Sequence, residues 1–283
     1  MSEHGAQPGV VPGARRTAGT LFAALYGELV PHAWREPGSE LDAYSLFWHR
    51  SVAMGWLDDT NAGGGCEEGM LRAPGLWGMN DAGWRHPLAA ADAGLVSWFQ
   101  VEASAVADDR PLPVQPFLRC AQEATARAGT LDLSAVQLLL PVQHLDPSAR
   151  PPYAPVPAMR TVPWFAECAP RARTAVAIDV DSGQDPAVPA VAAQFIDRFA
   201  ALEQAVFVCT SYEVAGRGAV LSPPFDDAFW HGPPEHGVVL RGELAEWSGD
   251  AIGWLAAVVA DCLVRLGVRS PLLLTATRSL PAA

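Results

Sequence analysis

Thr174-Ala-Val-Ala-Ile-Asp-Val-Asp181 alternates with a period of two, so Val176, Ile178 and Val180 share one face while Ala177, Asp179 and Asp181 share the other. That is the pattern of a strand with one apolar face and one polar face. Downstream, Asp185 and Pro186 supply an N-cap and a first-turn proline, after which Val188, Val191, Phe195, Phe199 and Leu202 recur at helical spacing. Ala205 to Val214 and Val238 to Trp247 are rich in β-formers, with a long loop, Ala215 to Gly237, between them. Ser248 then caps a helix carrying Ile252, Leu255, Val259, Leu263 and Leu266, which Gly267 ends before the apolar strand Pro271 to Thr277. The order of this half is β-α-β-β-α-β.

A fainter copy of that order precedes it. Thr20 to Val30 reads as a strand; Ser39 and Asp42 have capping-box spacing ahead of Leu41, Tyr44, Trp48 and Val52 at helical positions. Gly94 to Ala105 alternates as a strand, Val114 to Ala128 reads as a helix ending at Gly129, and Ala135 to Val142 reads as another strand. The Gly- and Trp-rich stretch Asn61 to His86 holds either an edge strand or loop alone. From Pro141 to Pro170 the chain is densely punctuated by proline, as in an extended crossover. The expected fold class is α+β. A tail over 1–16 leads into a degenerate unit over 17–143, a Pro-rich crossover over 144–173 and a second unit over 174–283, giving two tandem ferredoxin-like (βαββαβ) units. This order resembles tandem ferredoxin-like proteins and dimeric α+β barrel enzymes. The resemblance implies that two such units bring their sheets together around a cavity, and a fold of this kind does not by itself specify a reaction.

The 283 residues are 50% hydrophobic and 18% charged, ample for a buried core. All 19 basic residues are arginine, and the wealth of Ala, Gly, Pro and Arg points to a GC-rich bacterial genome. A net charge of -12 and a pI near 4.9 repel phosphate backbones and anionic lipid, so nucleic acid and membrane surfaces are not expected partners. Met1 to Arg16 lacks the apolar core of a secretory signal, and Ile252 to Val268 is interrupted by Asp261 and Arg265, so a soluble cytoplasmic protein is expected. Five cysteines, Cys66, Cys120, Cys168, Cys209 and Cys262, are odd in number and widely spaced, which argues against disulfides or structural zinc.

Helices cover one face of a ferredoxin-like sheet, so polar residues alternating on the other face meet solvent or line a site. Asp179 and Asp181 lie on that face. The usual strand order brings Arg241 and Glu243 beside them, with Glu213 on a flanking strand. The first half answers with Tyr26 and Glu28 on its first strand and Gln100 and Glu102 on its third. Phe22, Trp98 and Phe207 share these nominally open faces. Carboxylates gathered in a desolvated place raise one another's pKa and make a general base near neutral pH, which marks Asp179, Asp181, Glu28, Glu102, Glu213 and Glu243 as catalytic candidates. Arg241 is the expected anchor for an anionic group, with Tyr26, Trp98, Trp230 and His231 as further substrate-binding candidates. The same residues also suit an ordinary wet sheet face.

The loop Ala215 to Gly237 holds Asp226, Asp227, His231, Glu235 and His236, types that ligate zinc or iron, but in no metal-binding spacing, so neither a metal nor another cofactor is expected. Its Phe225, Phe229 and Trp230, with Trp77, Trp84 and His86 of the other long loop, suit closure over a small organic molecule or pinning of the loops to the core. His49 is a reserve base. There is no P-loop lysine, G-x-G-x-x-G turn or G-x-S-x-G elbow. Three classes of function follow. The leading one is a cofactor-independent bacterial enzyme of specialised metabolism that performs isomerisation, elimination or intramolecular ring closure on a small-molecule substrate. The others are a non-catalytic binding or scaffold subunit that pairs with itself or with a partner from the same pathway, and a metal-dependent oxygenase or hydrolase.

Overall fold

The computed structural model describes residues 19–34, 42–58, 77–86, 88–89, 94–103, 106, 111–146, 148, 165, 168, 172–202, 204–216 and 221–279. The expected tail, Ser39, Cys66 and most of the Pro-rich crossover lie outside them. Eight strands form one antiparallel sheet: β1 (Gly19–Pro31), β2 (Gly78–Gly83), β3 (Leu95–Ala103), β4 (Gly129–Leu140), β5 (Thr174–Asp181), β6 (Phe207–Ala215), β7 (Gly237–Leu244) and β8 (Leu272–Arg278). The order across the sheet is β2-β3-β1-β4-β8-β5-β7-β6, so the last strand of each half lies side by side at the centre. The sheet is open. Among the described residues there are not two sheets facing one another around a cavity, as in the barrel-like expectation; the halves meet edge to edge.

Five helices lie among the described residues: α1 (Ala43–Ala53), α2 (Val114–Ala126), α3 (Ala187–Ala190), α4 (Ala192–Ala200) and α5 (Gly249–Arg265). Asp42 caps α1 by accepting from the backbone N–H groups of Tyr44 and Ser45, both at 3.1 Å, and Ser248 caps α5 by accepting from Ala251 N–H at 3.2 Å. Asp185 does not cap a helix. Its carboxylate accepts from the Ser270 hydroxyl, and the expected single helix breaks at Val191, which takes a φ of -112° and bonds back to Val188. Among the described residues no helix is long and apolar enough to cross a membrane.

β1, β4 and β8 bury apolar side chains on both faces, whereas β5 does so on the helix side alone. Leu21, Ala23 and Leu25 of β1, Val136 and Leu138 of β4, Val176 and Ile178 of β5 and Leu274 of β8 point into one large core beneath the helices, built around Phe47, Phe117, Phe195 and Trp254. On the opposite face Phe22, Ala24, Tyr26, Trp98, Ala135, Leu139 and Leu273 form a second, smaller core. This one is covered by loop residues Phe225, Phe229 and Trp230. The alternation that buries both faces is the direct result of the strand pleat.

α2 packs against β4, α5 against β8, and the two helices against each other over the central seam. A Cβ on Gly253 would lie 2.7 Å from Gln115 Cα and 3.0 Å from Val114 O, and one on Gly249 would lie 3.0 Å from Leu118 O, so the helices touch backbone to backbone at these two glycines. Gly253→Ala is therefore expected to lose about 1–3 kcal/mol of stability through overpacking, read as a lower urea midpoint with an unchanged m value. Gly216→Ala, where an added methyl meets nothing within 4 Å, serves as the neutral control.

Candidate functional site

β5 carries its two aspartates on the helix-free face, with Asp179 9% and Asp181 6% exposed. Asp181 lies opposite Gly237 of β7 and Asp179 opposite Val239. At Gly237 the sheet has no side chain, and the two carboxylates lean into that space: a Cβ there would sit 2.9 Å from Asp181 Oδ2 and 3.0 Å from Asp179 Oδ1. Only glycine leaves both acids this room.

The two acids are solvated differently by the protein. Asp181 accepts a 2.6 Å hydrogen bond from Gly183 N–H and further backbone bonds from Glu235 and His236. Burial pushes its pKa up, and those backbone donors and the nearby His236 pull it back. Asp179 has no such help. Its Oδ1 is buried with no hydrogen-bond partner among the described residues, and burial first, then the neighbouring Asp181, raises its pKa from an ordinary 3.8 to about 7. The pair thus holds one carboxylate braced by backbone donors and one, bare of them, poised to gain or lose a proton near neutrality.

Toward the seam, Thr275 of β8 lies opposite Asp179, and Gln137 of β4 lies opposite Thr275. Gln137 Nε2 donates to Thr275 Oγ1 (3.2 Å) and to Leu221 O (3.1 Å), while Tyr26 OH donates to Gln137 Oε1 (3.2 Å). Burial raises the Tyr26 phenol above its ordinary range. Beyond Tyr26 the second core becomes aromatic: Phe22 stacks on Trp98 at 5.9 Å and meets Phe225 edge-on at 5.0 Å. His86 packs edge-on against Trp98 at 4.8 Å. Its Nδ1 accepts from Leu88 N–H at 3.2 Å, its Nε2 is buried without a partner among the described residues, and burial holds its pKa down at about 4.

Sequence candidates divide sharply. Asp179, Asp181, Tyr26, Trp98 and Trp230 are buried on the helix-free side of the sheet. Tyr26 does not face Asp179 across an interior. The two lie on the same sheet, three strand spacings apart and two residues out of register, with Gln137 and Thr275 on the strands between them. Glu28 is not part of the group: β1 bulges at Gly27 and runs past the end of β3, leaving Glu28 exposed opposite Asp132. Glu102 lies near the far edge, where Asn80 donates to it at 3.0 Å. Arg241 is opposite Ala177 and engages Glu213 of the outer strand at 2.7 Å, with side chains 55% and 59% exposed; Glu243 is exposed opposite Ala175. Phe207 points into the helix-side core, because a bulge between Cys209 and Ser211 reverses the facing of β6.

The loop residues act mainly through their backbones. The carbonyl of His231, at φ 104°, accepts from Gln184 N–H at 3.0 Å, which ties the loop to the end of β5, while its side chain is exposed. Asp226 caps a short turn by accepting from Ala228 N–H at 2.8 Å, and the Asp227 carbonyl closes the same turn. Trp77 belongs to the helix-side core, Trp84 packs against it, and His49 is exposed on α1. No group of three or more His, Cys, Asp or Glu placed to hold a metal occurs among the described residues. Gln137, Thr275 and Gly237 were not marked by sequence reasoning. A polar residue at an alternating position inside the apolar runs of β4 and β8 was the available signal for the first two.

No protein-family model, curated protein or solved structure matches this chain.

The buried acids set a pH dependence of stability. Folded Asp179 retains its proton up to about pH 7, whereas an unfolded Asp releases it near 3.8, so the folded state binds more protons between those values. Stability is therefore expected to fall as pH rises through that window, by up to about 1.4 kcal/mol per pH unit from this group, and to level off above 7. Asp181, raised for the same leading reason, adds to the slope in the same sense. Urea unfolding at pH 4, 5.5, 7 and 8 checks this. Asp179→Asn should flatten the curve and be more stable than the parent at pH 8.

Proposed function

We propose that the chain is an enzyme of acid/base chemistry, cofactor-independent and acting on a small organic molecule, in which Asp179 exchanges the proton and Asp181 remains ionised beside it. The observation that carries this reading is the unpartnered Oδ1 of a buried Asp179, next to a carboxylate that already has backbone donors. A structural aspartate at that burial gains most from hydrogen bonds; one left bare is suited to a proton-bearing group from outside the chain. Asp179 takes a proton from a carbon, amine or hydroxyl and returns it at a second position, the chemistry of isomerisation, elimination or ring closure. Tyr26, Gln137 and Thr275 offer hydroxyl and amide groups along the same face, and Trp98 and Trp230 contribute to its apolar wall. Specialised metabolism of a GC-rich bacterium is the setting that composition suggests.

We also infer that the halves are tandem ferredoxin-like units. In each half the fourth, first, third and second strands are neighbours in that order, and both halves carry their helices on the same side. A second reading, a binding or scaffold subunit, draws support from β6, the terminal strand of the described sheet, where Val208, Tyr212 and Val214 are exposed. Sedimentation velocity of the full chain tests it: self-association that Val214→Lys disrupts favours this reading, and a monomer at every concentration removes self-pairing through that edge.

The enzymatic reading is tested by incubating the protein with bacterial small-molecule extracts in D2O and following deuterium uptake and isomer conversion by mass spectrometry. Asp179→Asn is expected to lower any conversion by about 100-fold or more with its thermal melt retained. Full conversion by both Asp179→Asn and Asp181→Asn would sink the assignment.

A further inference from the structure

We propose that the ligand of the Asp179–Asp181 site carries a protonated amine on an apolar, aromatic-sized body, and that the ammonium sits between the two carboxylates. This rests on the reading of the pair as the working site and adds the class of molecule it takes. Two buried acids side by side are costly unless a positive charge accompanies them. Among the described residues every ion pair is made elsewhere: Arg50 and Arg119 with Glu123, Arg119 with Asp250, Arg241 with Glu213, Arg265 with Asp261 and Arg278 with Asp132. Among the described residues no guanidinium pairs with either aspartate, and the chain has no lysine.

The missing charge has a defined place. Asp179 is nine-tenths buried, and its unpartnered Oδ1 points to the same space over Gly237 as Asp181 Oδ2. Backbone donors already satisfy Asp181 in part, so the group that completes the pair needs at least one donor for Asp179 and a positive charge for both. A primary ammonium, with three N–H donors, meets both needs. An anionic ligand does not. Arg241, the expected anchor for one, is bound to Glu213 and exposed. Next to the acids, Leu273 lies opposite Asp181 and belongs to the cluster with Phe22, Phe225, Phe229 and Trp230. Such a wall receives an apolar body, and its ring faces favour a nearby cation.

Proton balance gives a signature that a merely structural pair lacks. Below pH 7 Asp179 carries a proton; an arriving ammonium favours the carboxylate form, so binding expels that proton to solvent. The ionisable residues beside the pair are Glu235 and His236, immediately before β7, with Tyr26 further along the face.

Isothermal titration calorimetry of the full chain with phenethylamine, 2-phenylethanol and 3-phenylpropionate, at pH 6 and pH 8 in buffers of different ionisation enthalpy, tests the proposal. Phenethylamine is expected to bind at least about 10-fold more tightly than the isosteric alcohol, a ratio reachable by one desolvated charge pair, and the acid more weakly still. At pH 6 the amine should release close to one proton, and at pH 8 almost none. Asp179→Asn should abolish the release, and Asp179→Asn and Asp181→Asn should each weaken the amine by about 10-fold or more. Absence of amine binding at 10 mM, on the order of the weakest affinity such a pair would leave, overturns the proposal. Equal binding of alcohol or acid, or amine binding that survives both substitutions, does the same. Should these probes fail while Asp179-dependent conversion is found in extracts, the enzymatic reading stands and only the amine class falls.

Discussion

The antiparallel pairing of β4 with β8 is the contact on which everything else depends. It runs from Ala135 opposite Thr277 to Leu140 opposite Leu272, and it turns two four-stranded halves into one sheet. On the helix side, α2 and α5 reinforce it by meeting at Gly249 and Gly253, where the absence of side chains lets the backbones touch. On the other side, Gln137 and Thr275 hydrogen-bond directly across it. Without the seam β8 would be an unpaired strand edge beside β5, and Gln137 would lose its bond to Thr275. The polar row and the aromatic wall share a face only because the seam exists.

The chemistry of that face comes from unequal treatment of two like residues. Asp179 and Asp181 are two positions apart on one strand, buried to similar extents, and pointed at the same bare glycine. Backbone N–H groups are the difference. The turn after β5 and the approach to β7 direct theirs to Asp181, and none reaches Asp179. Strand geometry dictates this, since only the last residue of β5 lies within reach of both turns. A repeat of identical residues has thus become a pair of different acids with no change of side chain.

Much of this was legible in the sequence, and what was not has physical causes. The period-two run of Thr174 to Asp181 places both aspartates on one face, and Ser248 marks the start of α5 where the structure has it. Period two fails at a bulge. Phe207 and Glu213 are six residues apart and read as sharing a face, yet the extra residue between Cys209 and Ser211 sends Phe207 to the helices and Glu213 outward. At Gly27 a second irregularity carries Glu28 into solvent. β2 was ambiguous because Gly78–Gly83 has no β-branched residue and gains its strand form from β3 alone. The edge-to-edge joining of the halves left no local trace, because periodicity records which way a side chain faces and not which strand lies beside it. For that reason nothing local pairs Gln137 with Thr275, each a polar residue inside an apolar run.

The seam also orders events in time. β8 follows every other strand in the chain, and the bond between Gln137 and Thr275 spans 138 residues. A ribosome delivers β4 long before β8, so the inner edge of the first half stays bare while the whole second half is synthesised. Asp179 likewise waits for its Thr275 neighbour. The acid pair is therefore completed only when the final strand slots between β4 and β5, and a chain stalled before that strand holds both aspartates but lacks the strand beside them.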